Sequence, residues 1–165
     1  MGHPKRTVTI ALVLVVGALT GCAPGSGSVA CQPVRTEPLD RRSLIHVLPG
    51  ATPARYLSNP PTSGPHQPSP PVAGVVGHPI DLPVQVGILE GGAVLLQYRG
   101  LSPAERARVA GLAGPKVVVA PNATLPGGDT VVATAWLTKQ ECRSPDLATL
   151  RRFVRAHENK GPGTP

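Results

Sequence analysis

Ala93-Val94-Leu95-Leu96-Gln97-Tyr98-Arg99 is a run dense in β-forming residues, and it reads as a strand. A helix start follows at Ser102-Pro103-Ala104-Glu105. Ser caps, Pro fits the first turn, and Glu at the third helical position completes a capping box. That helix is expected to run to about Ala113, where Gly114 and Pro115 stop it. Lys116–Ala120 (KVVVA) reads as a buried strand and Thr130–Leu137 (TVVATAWL) as another, with a loop around Pro126-Gly127-Gly128 between them. Val84–Leu89 and Ile45–Leu48 are read as two further short strands. Ser144-Pro145-Asp146 opens a last helix over about Pro145–Glu158, with Leu147, Leu150, Phe153, Val154 and His157 near one face and Arg151, Arg152 and Arg155 on the solvent side. Strands and helices in this order predict an α+β fold: a small mixed or antiparallel sheet with two helices and a long Pro-rich loop.

Composition sets the scale. The chain has 165 residues, of which 21 are Pro and 19 are Gly. That length suits one domain. Its aromatic residues are Tyr56, Tyr98, Trp136 and Phe153, so the core must be built from Val, Leu, Ile and Ala and is small. The prolines concentrate between Pro49 and Pro83, a stretch that can neither join a sheet interior nor continue a helix. It is either ordered coil wrapped on the domain or a mobile loop.

The N-terminus reads as an export signal. Lys5 and Arg6 precede the apolar run Thr7–Leu19, whose 13 residues are too few to cross a bilayer. Leu19-Thr20-Gly21-Cys22 resembles a bacterial lipobox, in which the Cys is acylated and becomes the first residue of the mature chain. Residues 1–21 are thus expected to be a lipoprotein signal peptide and Cys22 the lipidation site. The lipid would hold the protein to the extracytoplasmic face of the cell membrane, inner or outer according to envelope type. A flexible tether is expected over 22–43, a globular domain over 44–159 and a frayed tail over 160–165. Without Lys5 and Arg6 the formal charge of +7 falls by two. The remaining positive balance favours anionic headgroups, an anionic envelope polymer or an envelope protein as partner. Scattered basic residues and scarce aromatics argue against nucleic acid.

With Cys22 acylated, Cys31 and Cys142 remain. In an oxidising compartment they either form a disulfide, closing a loop of roughly 110 residues worth up to ~4–5 kcal/mol, or stay as two thiols.

Asn59-Pro60-Pro61-Thr62-Ser63-Gly64-Pro65-His66 carries a resemblance. With His46-Val47 before it, and Leu89-Glu90-Gly91-Gly92, Ala135-Trp136, Cys142 and Phe153 after it, the stretch from Ile45 to His157 resembles the bacterial domain-of-unknown-function family 3105. In that family a His-x-x-Glu-His-Gly stretch precedes the strand. Here its two histidine positions hold Gly87 and Gly91. The resemblance implies that a metal site built on those imidazoles is lost in this chain. It also makes His66 the natural partner of a buried Glu90.

His46, His66, His78 and Glu90 are the plausible donor set. Convergence within about 5 Å would mark a metal or catalytic site, and separation would leave His66 as a hydrogen-bonding clamp on the Pro-rich loop. His78 and His157 are expected at the surface. Ser63 is not in a nucleophile elbow, and neither Gly pair has phosphate-loop spacing. The residues therefore point first to a lipid-anchored, non-enzymatic binding or structural module without a cofactor. The alternative is a metal-binding protein or metal-dependent enzyme using His46, His66 and Glu90. A third reading is a ligand sensor with its pocket beneath the Pro-rich segment. Oligomeric state is left open.

Overall fold

A computed structural model describes residues 1–3, 30–51, 55–68, 70 and 72–164. The expected signal peptide, Cys22 and the adjoining Gly/Ser stretch lie outside the described residues, apart from 1–3 and Ala30. The elements in chain order are β1 (Arg35–Thr36), a 3-10 turn (Arg41–Leu44), β2 (Gly74–Val75), α1 (Leu82–Glu90), β3 (Val94–Tyr98), α2 (Pro103–Ala110), β4 (Val117–Pro121), β5 (Val131–Ala135), β6 (Thr138–Cys142) and α3 (Leu147–His157).

The strands form one mixed sheet in the order β1-β6-β5-β3-β4-β2. β3 runs parallel to β4 and β4 to β2; β3 with β5, β5 with β6 and β6 with β1 are antiparallel. Side chains alternate across it. One face buries Val94, Leu96, Val117, Val119, Val131 and Ala133 against Val109 of α2 and Leu150 and Phe153 of α3. The other buries Leu95, Val118 and Ala120 against Ile88 and Leu89 of α1 and Ile80. The fold is α+β as expected, with three helices among the described residues instead of two. No helix among the described residues is long and apolar enough to cross a membrane.

The added helix is α1, where Val84–Leu89 was expected to be a strand. Val-Gln-Val alternates as a strand would, and a short apolar run does not separate the two periods. The surroundings decide it. Pro83 sits in the first turn, Gly91 ends the helix, and Val86, Gly87, Ile88 and Leu89 are all buried. Such a helix is apolar nearly all round because it is wedged between the sheet and the Pro-rich segment. The strand expected at Ile45–Leu48 shrinks to a single parallel bridge between His46 and His66. The last helix begins two residues later than expected, because Asp146 is its cap and accepts from the amides of Ala148 and Thr149. The capping box of α2 forms as read: Ser102 accepts from the Glu105 amide, and Glu105 accepts from the Ser102 amide.

Residues expected as tether and tail pack on the domain. Cys31 and β1 join the sheet edge at β6. Cys31 is bonded to Cys142, and the Arg35 guanidinium forks onto Glu141 at 2.6 and 2.7 Å. At the other end, Asn159 donates to the Gly92 carbonyl at 2.7 Å and Gly163 to the Glu90 carbonyl at 3.0 Å, so the tail lies on the end of α1.

Candidate functional site

Prolines 60, 61 and 65 remove amides from the 60–66 segment, so few groups there need pairing and the segment can be buried whole. Residues 38–43 sew it down. The Asp40 amide donates to Ser63 Oγ at 2.9 Å, the Gly64 amide donates to Ser43 Oγ at 3.0 Å, and Ser43 Oγ donates to the Asp40 carbonyl at 2.6 Å. Hydrogen bonds from Arg42 hold the Asp40 carboxyl below its ordinary 3.8. The stabilisation from the Asp40–Arg42 pair is therefore present at neutral pH and lost as the pH falls through the lowered value, whereas the backbone bonds of Asp40 to Ser63 and Ser43 do not titrate. Tyr56 Oη donates to the Pro65 carbonyl at 2.6 Å. Gly64 has φ +127°, and a Cβ there would sit 2.9 Å from the Tyr56 ring, so glycine is required. None of Asp40, Ser43, Tyr56 or Ser63 was singled out as part of a site by sequence. A short polar segment that clamps a distant loop leaves no periodic trace.

This clamp delivers His66, fully buried, to the C-terminal end of α1. Its Nδ1 is 3.0 Å from the Gly64 carbonyl. A carbonyl only accepts, so Nδ1 carries a proton toward Gly64 and Nε2 is the ring atom turned to Glu90. Nε2 lies 2.7 Å from Glu90 Oε2, yet the oxygen is off the ring's donor direction and no hydrogen bond joins them. The exposed His46 ring is 5.0 Å from that of His66, centre to centre, at 68°. One ligand atom from each of His46, His66 and Glu90 lies within 4.8 Å of the others. The convergence posed by the sequence therefore occurs for three of the four donors. His78 is exposed and bonded to its neighbour's carbonyl, outside the cluster. His157 is half-buried against Phe153, its ring 4.5 Å away, and burial lowers its pKa.

Glu90 is the last residue of α1 rather than part of a strand. A carboxylate there faces the negative end of the helix dipole; Lys116 reaches that end from the start of β4, its Nζ donating to the Gly91 carbonyl at 2.8 Å. The carboxylate and the helix end together favour a cation. Gly87 and Gly91 take no part. A Cβ at Gly87 would fall 2.0 Å from the Gln67 carbonyl, so this backbone has closed over the position.

The tail supports the same corner. A Cβ on Gly161 would lie 2.1 Å from the Glu90 carbonyl oxygen and 2.5 Å from the Gly92 nitrogen. Gly161→Val is therefore expected to undock residues 159–164 and destabilise the fold by about 1–2 kcal/mol. Limited proteolysis would show faster cleavage beyond Glu158. An unchanged digestion pattern would mean that the tail does not hold this corner.

Residues 46–165 match the model of a family described as protein of unknown function (DUF3105). No curated protein and no solved structure matches the chain.

Proposed function

We propose that this chain, which belongs to the DUF3105 family, binds a divalent metal of borderline softness, zinc being the type case, through His46, His66 and Glu90. The observation that carries the reading is the convergence at His66: Gly64 holds the ring through Nδ1, and its buried Nε2 lies 2.7 Å from Glu90 Oε2, with one ligand atom each of His46, His66 and Glu90 within 4.8 Å of the others. A ring held by a backbone carbonyl through its second nitrogen is the usual support for an imidazole ligand. Two imidazoles and a carboxylate suit zinc or another late first-row ion better than calcium or magnesium. Three protein ligands leave one tetrahedral position for water or for a group on a partner, and His46 opens that side to solvent. Its place is outside the cytoplasmic membrane, on a domain anchored through acylated Cys22. That address rests on the lipobox, and the intact mass of the mature chain tests it.

The rival reading keeps the protein a non-enzymatic module in which His66 only locks the Pro-rich segment to α1. The Gly64 hydrogen bond favours it. Metal analysis and zinc titration of the purified chain separate the two. One saturable zinc per chain is expected. No saturable binding, or binding that survives Glu90→Gln unchanged, would leave only the lock.

A further inference from the structure

The described chain enters the sheet beside a face of arginines. The Ala30 carbonyl accepts from the Arg143 amide at 2.8 Å, and Arg143 and Arg152 line one open cleft with Cys31, Gln32 and Pro33. Leu150 and Phe153 turn α3 so that Arg151, Arg152 and Arg155 project from its outer side, and all three are exposed, as is Arg143. Among the described residues none of these four guanidinium groups is within ion-pair distance of a carboxylate. A helix side that carries unspent positive charge next to the point of tether entry has an evident counterpart.

We propose that Arg143, Arg151, Arg152 and Arg155 rest on the anionic headgroups of the bilayer to which the chain is tethered. The location rests on the Cys22 reading. From Cys22 to Ala30 the chain spans eight steps, at most roughly 28 Å when fully extended. Within that reach the side of the domain nearest the entry point meets the lipid surface first. Each basic residue near an anionic surface contributes about 1 kcal/mol, roughly fivefold in partitioning, and salt screens it. The contact would orient the domain, with its arginine side toward the membrane.

The test compares partitioning of the mature chain onto phosphatidylcholine vesicles and onto vesicles one third phosphatidylglycerol. That chain is without Lys5 and Arg6, so that the lipid contributes to both and cancels in the ratio. At low salt the ratio is expected to favour anionic vesicles by about 600-fold, to fall to about fivefold in Arg151→Gln/Arg152→Gln/Arg155→Gln, and to return with Lys at the same positions. Thermal unfolding checks that the variants fold. A wild-type ratio near one, a ratio unmoved by the Gln substitutions, or failure of Lys to restore it would overturn the proposal. So would equal binding to a soluble phosphodiester polymer without preference among vesicles, which would assign the face to a wall polymer. An unacylated Cys22 in the intact mass would remove the anchor but leave this ratio readable.

Discussion

His66→Ala should abolish stoichiometric zinc binding, weakening affinity by at least about 100-fold, the upper range for loss of even a supporting partner of a ligand. Alanine also leaves the Gly64 carbonyl and Glu90 without their neighbour, so some stability is lost for reasons unrelated to metal. Glu90→Gln resolves the two. Glutamine keeps the shape and removes the charge at the C-terminal end of α1 beside Nε2. The metal-free variant should be as stable as the wild type or slightly more so, by about 0.3–1 kcal/mol. It should also lose the rise in unfolding temperature that excess zinc gives the wild type, a stabilisation of about 2.7 kcal/mol at a hundred times Kd. A purely structural His66–Glu90 ion pair makes the opposite prediction: Glu90→Gln would destabilise the metal-free protein, and zinc would shift neither variant. Calorimetry on the two proteins with and without zinc decides between them.

The second large effect belongs to the disulfide. Cys31 and Cys142 are 111 residues apart, and both are buried, Cys142 within the core under α3. Replacing both with serine should lower stability by about 3–5 kcal/mol, since the bridge constrains a long loop of the unfolded chain. For a domain of this size that corresponds to a fall in unfolding temperature of roughly 10–20 °C. The loss is a large part of the 5–15 kcal/mol typical of a domain. Reductant should shift the wild type to the same point and leave the double variant unmoved. Equal unfolding temperatures for wild type and variant would show that the bridge carries no such load.

The middle of the sheet was legible because its chemistry is local. β3, β4 and β5 are runs of Val, Leu and Ala, and α2 announces itself through Ser102, Pro103 and Glu105. What escaped is what long-range contacts decide. β6 (TKQEC) has the composition of a loop, and it is a strand because β5 and β1 pair it on both sides. It even buries Lys139, whose ammonium lies 3.9 Å from Glu37 and whose pKa burial lowers. β1 has two residues and no pattern at all; a covalent bond and the Arg35 fork hold it. The candidate site was legible in its members and not in its assembly. His46, His66 and Glu90 stand out as donors, but only the clamp of residues 38–43 on the 60–66 segment brings them to one point. His78 has the same side chain and no such clamp.

The position of Cys31 bears on how the domain carries mechanical load. A pull on the N-terminal chain meets the bridge before it meets β1, and it passes through sulfur into β6, a strand with neighbours on both sides. The two-residue edge strand is thereby spared from unzipping, one hydrogen bond after another. Thermal jostling or flow acting on a chain held at that end would strain a covalent joint in the interior of the sheet, and in a reducing milieu the same tension would peel β1 away first.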